Sequence, residues 1–234
     1  VFAMHRAQEM LEILKIALEL NLLNNEVNVY LDSPMAIDIT KIYENDYLSF
    51  NQSFKLNDYN IHYYNNNSEI ASKTNKANSH RFEFQALKTV RKAKRSLKIA
   101  NASKAVILAG SGMADGGRVV KHLYSNLSDP KTTVIFVGYQ AEQTLGRKLV
   151  DGAKEVVINE TSIHVNAKII YLKGFSAHGD NDDLKTWVRQ FNLKNLESIS
   201  LIHGDLERME IFAKNLTEIC KDVKIPKRLE EYNL

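Results

Sequence analysis

The sequence predicts an α/β fold built on a largely parallel sheet, and three observations predict it. Ala105–Ala109 is a continuous apolar run and Thr132–Val137 a second one, the pattern of strands buried on both faces. Segments of helical period alternate with such strands along the chain. A glycine-rich turn, Gly110-Ser111-Gly112-Met113-Ala114-Asp115-Gly116-Gly117-Arg118, joins the first strand directly to a helix.

Each element follows from its local pattern. Val1–Ala3 reads as a strand end. Arg6 to Leu23 carries Met10, Leu11, Leu14, Ala17, Leu18 and Leu22 at helical spacing. Val27–Leu31 is a short strand closed by Asp32-Ser33-Pro34, where Ser33 caps a helix from Met35 to Tyr47 with Pro34 at its first position. Residues 50–80, rich in Asn, read as an irregular excursion. From Phe84 to Ala114 there is no acidic residue, and a helix there would set Lys88, Arg91, Lys92, Arg95 and Lys98 opposite Leu87, Val90 and Leu97. The helix after the glycine turn reaches Leu127, and Gln140–Leu149 reads as the next. Val156–Ile158 and His164–Leu172 have hairpin character. A helix over Asp180–Phe191, a strand over Ser198–Ile202 and an amphipathic helix over Glu207–Cys220 complete the pattern.

Composition excludes several classes. With 234 residues there is room for one large domain or two small ones. Only 3 prolines and 10 glycines exclude collagen-like and Pro/Gly-rich disordered chains. The single cysteine, Cys220, excludes a disulfide framework and a Cys-rich zinc module, points to a reducing, cytoplasmic compartment, and reads as a core residue. No apolar run approaches the roughly 18 residues of a membrane span. Charges throughout Val1–Leu23 do not fit a secretory signal. A net charge of +3 leans weakly toward polyanionic partners. The chain opens with Val in an apolar triplet, as if cut from something longer.

Three places could carry chemistry. Backbone N–H groups of the glycine-rich turn, with Ser111, Gly112, Gly116, Gly117 and Arg118, suit a phosphate. Equally, the glycines could serve only a tight strand–helix turn. The spacing does not fit a dinucleotide fingerprint, and the Lys-Ser/Thr of a P-loop is absent. Gly174–Asp180 places Ser176 and His178 in a small-residue loop before a helix that Asp180 can cap. His203 stands at the carboxyl end of a strand, where ligands of open α/β sheets bind. It could be a metal ligand, a base or a structural donor. Zinc takes at least three protein ligands, and no such set is visible in the sequence.

Taken together, these segments resemble the beta-CASP nucleases of the metallo-beta-lactamase superfamily, which process RNA and DNA. Phe2–Glu9 is similar to the family's F-A-x-G-R-A-Q-E, and Asp32–Ala36 to D-S-P-M-A. Ser111–Arg118 is similar to S-G-M-x-x-G-G-R, and Val137–Arg147 to V-G-Y-Q-A-x-G-T-L-G-R. Gly174–Asp180 is similar to G-F-S-A-H-x-D, and Ile202–Asp205 to V-H-G-E. His5 and Gln143 stand where the family pattern has Gly, and Asp205 where it has Glu.

The resemblance implies a beta-CASP cap with a mostly parallel sheet over residues 1–174, and the C-terminal returning part of a metallo-beta-lactamase domain over 175–234. It implies that His178 contacts the scissile phosphate and helps protonate the leaving oxygen, with Ser176 nearby. It implies that His203 is a zinc ligand. The H-x-H-x-D-H segment and the other ligands of a two-zinc centre lie upstream in the family and are not in this sequence. The expected function is therefore part of a zinc-dependent nuclease hydrolysing RNA, single-stranded by preference, with this chain inactive alone. Its partners would be RNA and the N-terminal half of the parent protein. The 175–234 segment would dock elsewhere or self-associate, as in a homodimer. Lys88, Arg91 and Arg95 would bind further phosphates. Two competing readings are a non-catalytic RNA- or partner-binding beta-CASP module, and a nucleotide-binding α/β protein holding its ligand at Gly110–Arg118.

Overall fold

The computed structural model describes residues 1–45, 82–175, 179–227 and 230. The expected excursion over 50–80 lies outside them. The chain forms two compact units, Val1–Ser176 and Ala177–Leu234. As expected, the fold is α/β.

In the first unit, β1 (Asn28–Asp32) is the centre of a three-stranded sheet, flanked on either side in parallel by β2 (Leu87–Thr89) and β3 (Ala105–Ala109). Val29 and Leu31, two residues apart, point to one face. They pack with Leu108, with Ala7 and Leu11 of α1 (Arg6–Glu19), with Ala36 and Ile37 of α2 (Pro34–Asn45), and with Phe82. Ser33 Oγ accepts the Ala36 N–H at 3.2 Å, so α2 starts where the Ser-Pro pair predicts. Val1–Ala3 forms no strand, although the Val1 amino group donates to the Ala109 carbonyl.

A second core in the same unit is built on β4 (Thr133–Val137), which pairs in parallel with β7 (Lys168–Leu172). Phe136 packs there with Leu123 and Leu127 from α4 (Gly117–Asn126) and the adjoining residue, and with Leu149 of α5 (Leu145–Val150). The hairpin of β5 (Glu155–Ile158) and β6 (Thr161–His164) adds Val156, Ile158 and Ile163.

Three expected elements are corrected. The basic helix begins only at Ala93, as α3 (Ala93–Ile99). Leu87–Thr89 pairs with β1 instead, and the Val90 N–H continues to the Leu31 carbonyl. A strand partner outweighs helical period here. The buried face of α3 is also rotated from the expected one: Leu97 is exposed, and Ser96 and Ile99 are buried. The helix expected from Gln140 starts at Leu145, because Gln140 is drawn inward and Thr144 is the N-cap, accepting the Arg147 N–H at 3.0 Å. His164–Leu172 is two strands. Between them the Asn166 and Ala167 N–H groups both bind the Leu127 carbonyl, which turns the chain from the hairpin to the edge of β4.

The second unit contains α6 (Asn181–Val188), β8 (Ile199–Ser200), α7 (Leu206–Leu216) and β9 (Val223–Lys224). Asp180 caps α6 as expected, in a reciprocal box with Asp183. Strands β8 and β9 are parallel. Leu216 and Cys220 are buried, with the Cys220 Sγ facing backbone carbonyls. Leu184, Trp187, Phe191 and Ile202 are exposed. Among the described residues no helix is long and apolar enough to cross a membrane.

Candidate functional site

The glycine-rich loop between β3 and α4 lies at the carboxyl end of the parallel strands, where an open α/β sheet places ligands. Its backbone closes on itself. The Ser111 N–H reaches the Gly116 carbonyl at 3.3 Å, and the Val119 N–H reaches the Gly110 carbonyl at 2.9 Å. Gly117 has φ +73°, and a Cβ there would fall 2.5 Å from the Gly110 oxygen, so only glycine fits. Ser111, Asp115 and Gly117 are exposed, and Gly112 is buried under the Phe2 ring.

A second loop, 138–144, is clasped to the first. Gln140 is 1% exposed, and its Nε2 donates to the carbonyls of Gly112 (3.0 Å), Gly138 (3.2 Å) and Tyr139 (3.0 Å). The Gly146 N–H donates to the Met113 carbonyl at 2.9 Å, and the Leu145 N–H to Asp115 Oδ1 at 3.1 Å. A Cβ on Gly146 would lie 1.9 Å from Gln140 Oε1. Phe2 also abuts Gly138, at 3.2 Å from where a Cβ would be. Segments 1–9, 110–118 and 138–147 therefore meet as one body.

Beneath this body lies Asp32, the last residue of β1, fully buried. Its Oδ1 accepts from Arg118 Nη1 at 2.5 Å, and its Oδ2 from Ser96 Oγ at 2.5 Å and His122 Nε2 at 2.7 Å. An ionised carboxylate only accepts, so His122 donates to it from Nε2. Burial alone pushes the Asp32 carboxyl up, but the hydrogen bonds from His122, Ser96 and Arg118 outweigh it and hold the group below its ordinary value. Arg118 also donates to the carbonyls of Val90 and Arg91, in the connector between β2 and α3. That connector carries the exposed cations Arg91 and Lys92, followed by Arg95 and Lys98 on α3. Arg91 pairs with exposed Asp38, and Lys88 donates to Asn28.

The structure thus brings Ser111, Gly112, Gly116, Gly117 and Arg118 together, with Arg91 next to them. Arg118 faces inward. Ser176 and His178 lie outside the described residues. His203 is exposed in the turn before α7, with φ +62°. The fit to zinc is incomplete: among the described residues no group of three or more His, Cys, Asp or Glu converges, and His203 alone cannot hold the ion. Sequence reasoning gave no role to Asp32, Ser96, His122 or Gln140. One signal was present for part of this set, since Arg118 and His122 are four residues apart and share a face of α4.

Comparison with known proteins bears on this arrangement. Residues 7–149 match the model of the Beta-Casp domain, and residues 162–226 match that of the Zn-dependent metallo-hydrolase RNA specificity domain. The chain is similar to an RNase J-like protein of Methanocaldococcus jannaschii, 38% identical over 58% of this chain and 31% of that protein. A ribonuclease of Thermus thermophilus is 35% identical over 51% of this chain and 27% of its own length. Transcription termination factor FttA of Methanothermobacter thermautotrophicus is 30% identical over 98% of this chain and 34% of its own length. The chain thus spans about a third or less of these curated relatives.

Proposed function

Because the chain belongs to the beta-CASP family, we propose that it is the RNA-holding part of a zinc-dependent nuclease that hydrolyses RNA phosphodiester bonds, without catalysis of its own. One observation carries this reading. Arg118 ties the head of α4, and with it the exposed glycine-rich loop, to the connector bearing Arg91 and Lys92. Loop N–H groups and a run of cations then share the carboxyl end of the sheet, a surface suited to a phosphodiester backbone. The matched RNA specificity domain and the relatives named as ribonucleases support RNA as the polyanion.

The test is binding of a single-stranded RNA oligonucleotide by fluorescence anisotropy across a salt series. Arg91→Glu with Arg95→Glu should weaken binding and flatten the salt dependence, by about 0.7 in log–log slope for each phosphate that is no longer neutralised. An unchanged slope rejects the surface.

In the longer protein, His203 would serve as one zinc ligand, and His178 with Ser176 would contact the scissile phosphate. His203→Ala should then lower zinc stoichiometry, measured by elemental analysis. His178→Ala should leave zinc in place and slow cleavage. The opposite pattern would reverse the two roles.

A further inference from the structure

We infer that Arg118 is a positioning residue rather than a phosphate ligand: with Asp32 it forms a buried strut that fixes the glycine-rich loop against the basic connector, and leaves RNA to the exposed loop and the connector cations. Its consequence for RNA rests on the proposed function; the strut itself does not.

The geometry leaves Arg118 little to offer outward. Its side chain is 16% exposed, against 0% for Asp32. Nη1 serves both Asp32 Oδ1 and the Val90 carbonyl, and Nη2 serves the Arg91 carbonyl. Swinging the guanidinium toward a ligand would strip a buried carboxylate of its guanidinium partner and leave two carbonyls without that donor. The planar fork suits three acceptors set around it, which a point-like ammonium cannot match.

The strut is also placed to act on the loop. Arg118 follows Gly117 directly, and the next residue, Val119, closes the loop through its bond to the Gly110 carbonyl. One turn further along α4, His122 makes a second attachment to the same carboxylate, and Ser96 brings in α3. The end of β1, the connector, α3 and the start of α4 thus converge on Asp32. A change there should be felt as loosening of residues 110–119.

Two measurements on the protein carrying Asp32→Asn, Arg118→Lys or Arg118→Gln separate strut from ligand. The first is amide hydrogen exchange without RNA. As a strut, each variant accelerates exchange over 110–119, on the order of tenfold; unchanged exchange overturns the inference. The second is affinity for single-stranded RNA against salt. As a strut, Arg118→Lys binds as weakly as Arg118→Gln, Asp32→Asn weakens binding too, and the slope stays at the wild-type value. As a phosphate ligand, Arg118→Lys stays near wild type, Arg118→Gln lowers the slope by about 0.7, and Asp32→Asn, with one anion fewer, binds RNA more tightly. Should a charge variant not fold, Ser96→Ala removes one bond to Asp32 and keeps both charges, and faster exchange over 110–119 is again the required result. If wild-type protein fails to bind RNA while the exchange effect holds, the proposed function falls and the strut stands.

Discussion

The glycine-rich loop after β3 and the turn carrying His203 after β8 both pair glycine with chemistry-bearing residues at the carboxyl end of a parallel strand. They are built in opposite ways. The first is saturated together with the loop clasped to it: Gln140 Nε2 serves three carbonyls, Gly146 has no room for a methyl group, and Arg118 is spent on Asp32 and two carbonyls. In the second, His203 is exposed, and a Cβ on Gly204 would meet only the flexible Met209 side chain. A segment can therefore be marked in sequence because its support is demanding, as in the first, or because it carries one exposed side chain, as in the second.

The sharpest way to break this contrast is to add the same methyl group to both. Gly146→Ala must push against Gln140 Oε1 at 1.9 Å and the Met113 carbonyl at 2.7 Å, and should cost about 3 kcal/mol in denaturant unfolding. Gly204→Ala, and likewise Gly116→Ala with nothing within 4 Å, should stay within about 0.5 kcal/mol of wild type. Equal costs at the three positions would erase the distinction. Next in size, Gln140→Leu leaves the Gly112, Gly138 and Tyr139 carbonyls without their shared donor, a loss of about 2 kcal/mol by the same measurement.

Acid titration sharpens the comparison from beneath the loop. The Asp32 carboxyl is held below its ordinary value, so its contribution is fully present above the unfolded value of about 3.9. It fades as pH falls through the lower folded value. The stability gap between wild type and Asp32→Asn should therefore be constant near neutrality and narrow in acid. A gap that stayed constant down to pH ~2 would show that the carboxylate charge is not what the cluster uses.

The smallest expected effect is a gain. His5 has φ 62° and ψ −59°, with the Arg6 N–H bonded to the Met4 carbonyl at 2.7 Å, a tight γ-turn. His5→Gly should raise stability by about 0.5–1 kcal/mol once glycine's added chain entropy is subtracted. The gain is limited by the bond between the Tyr43 hydroxyl and His5 Nδ1, 2.5 Å long, which glycine cannot make. A drop in thermal unfolding temperature would mean that this bond outweighs the backbone strain.

How much was legible depended on whether the deciding interaction was local. β3, β4 and the strand–glycine–helix turn could be read because an apolar run and a glycine at positive φ are properties of a few adjacent residues, although β4 is not buried on both faces as expected, Ile135 being exposed. The departures at His5 and Gln143 were legible as departures, and both positions indeed hold left-handed backbone, φ 62° and 69°, that glycine adopts freely. The helix expected through Lys88 was not correct, because Leu87 answers to Val29, far away in sequence. Gln140 read as helix for the same kind of reason: its amide is claimed by Gly112 from another loop. The Asp32 cluster was hidden because it joins three elements, and no spacing within one of them announces it. In the candidate site, the glycines and cations could be named in advance, while what holds them in place could not.

The clasp around Gln140 and Phe2 has a consequence for how such chains can be recombined. Phe2 fills the space above Gly112 and Gly138, and Gln140 fills the space beside Gly146. The three segments are thus moulded to one another and share no freedom to drift separately. A hybrid that takes residues 1–9 from one relative and residues 110–118 or 138–147 from another inherits a mismatched mould, because Phe2 packs on both. Inheritance in this protein is by the set, and the unit of exchange is a patch of space drawn from three distant stretches of chain.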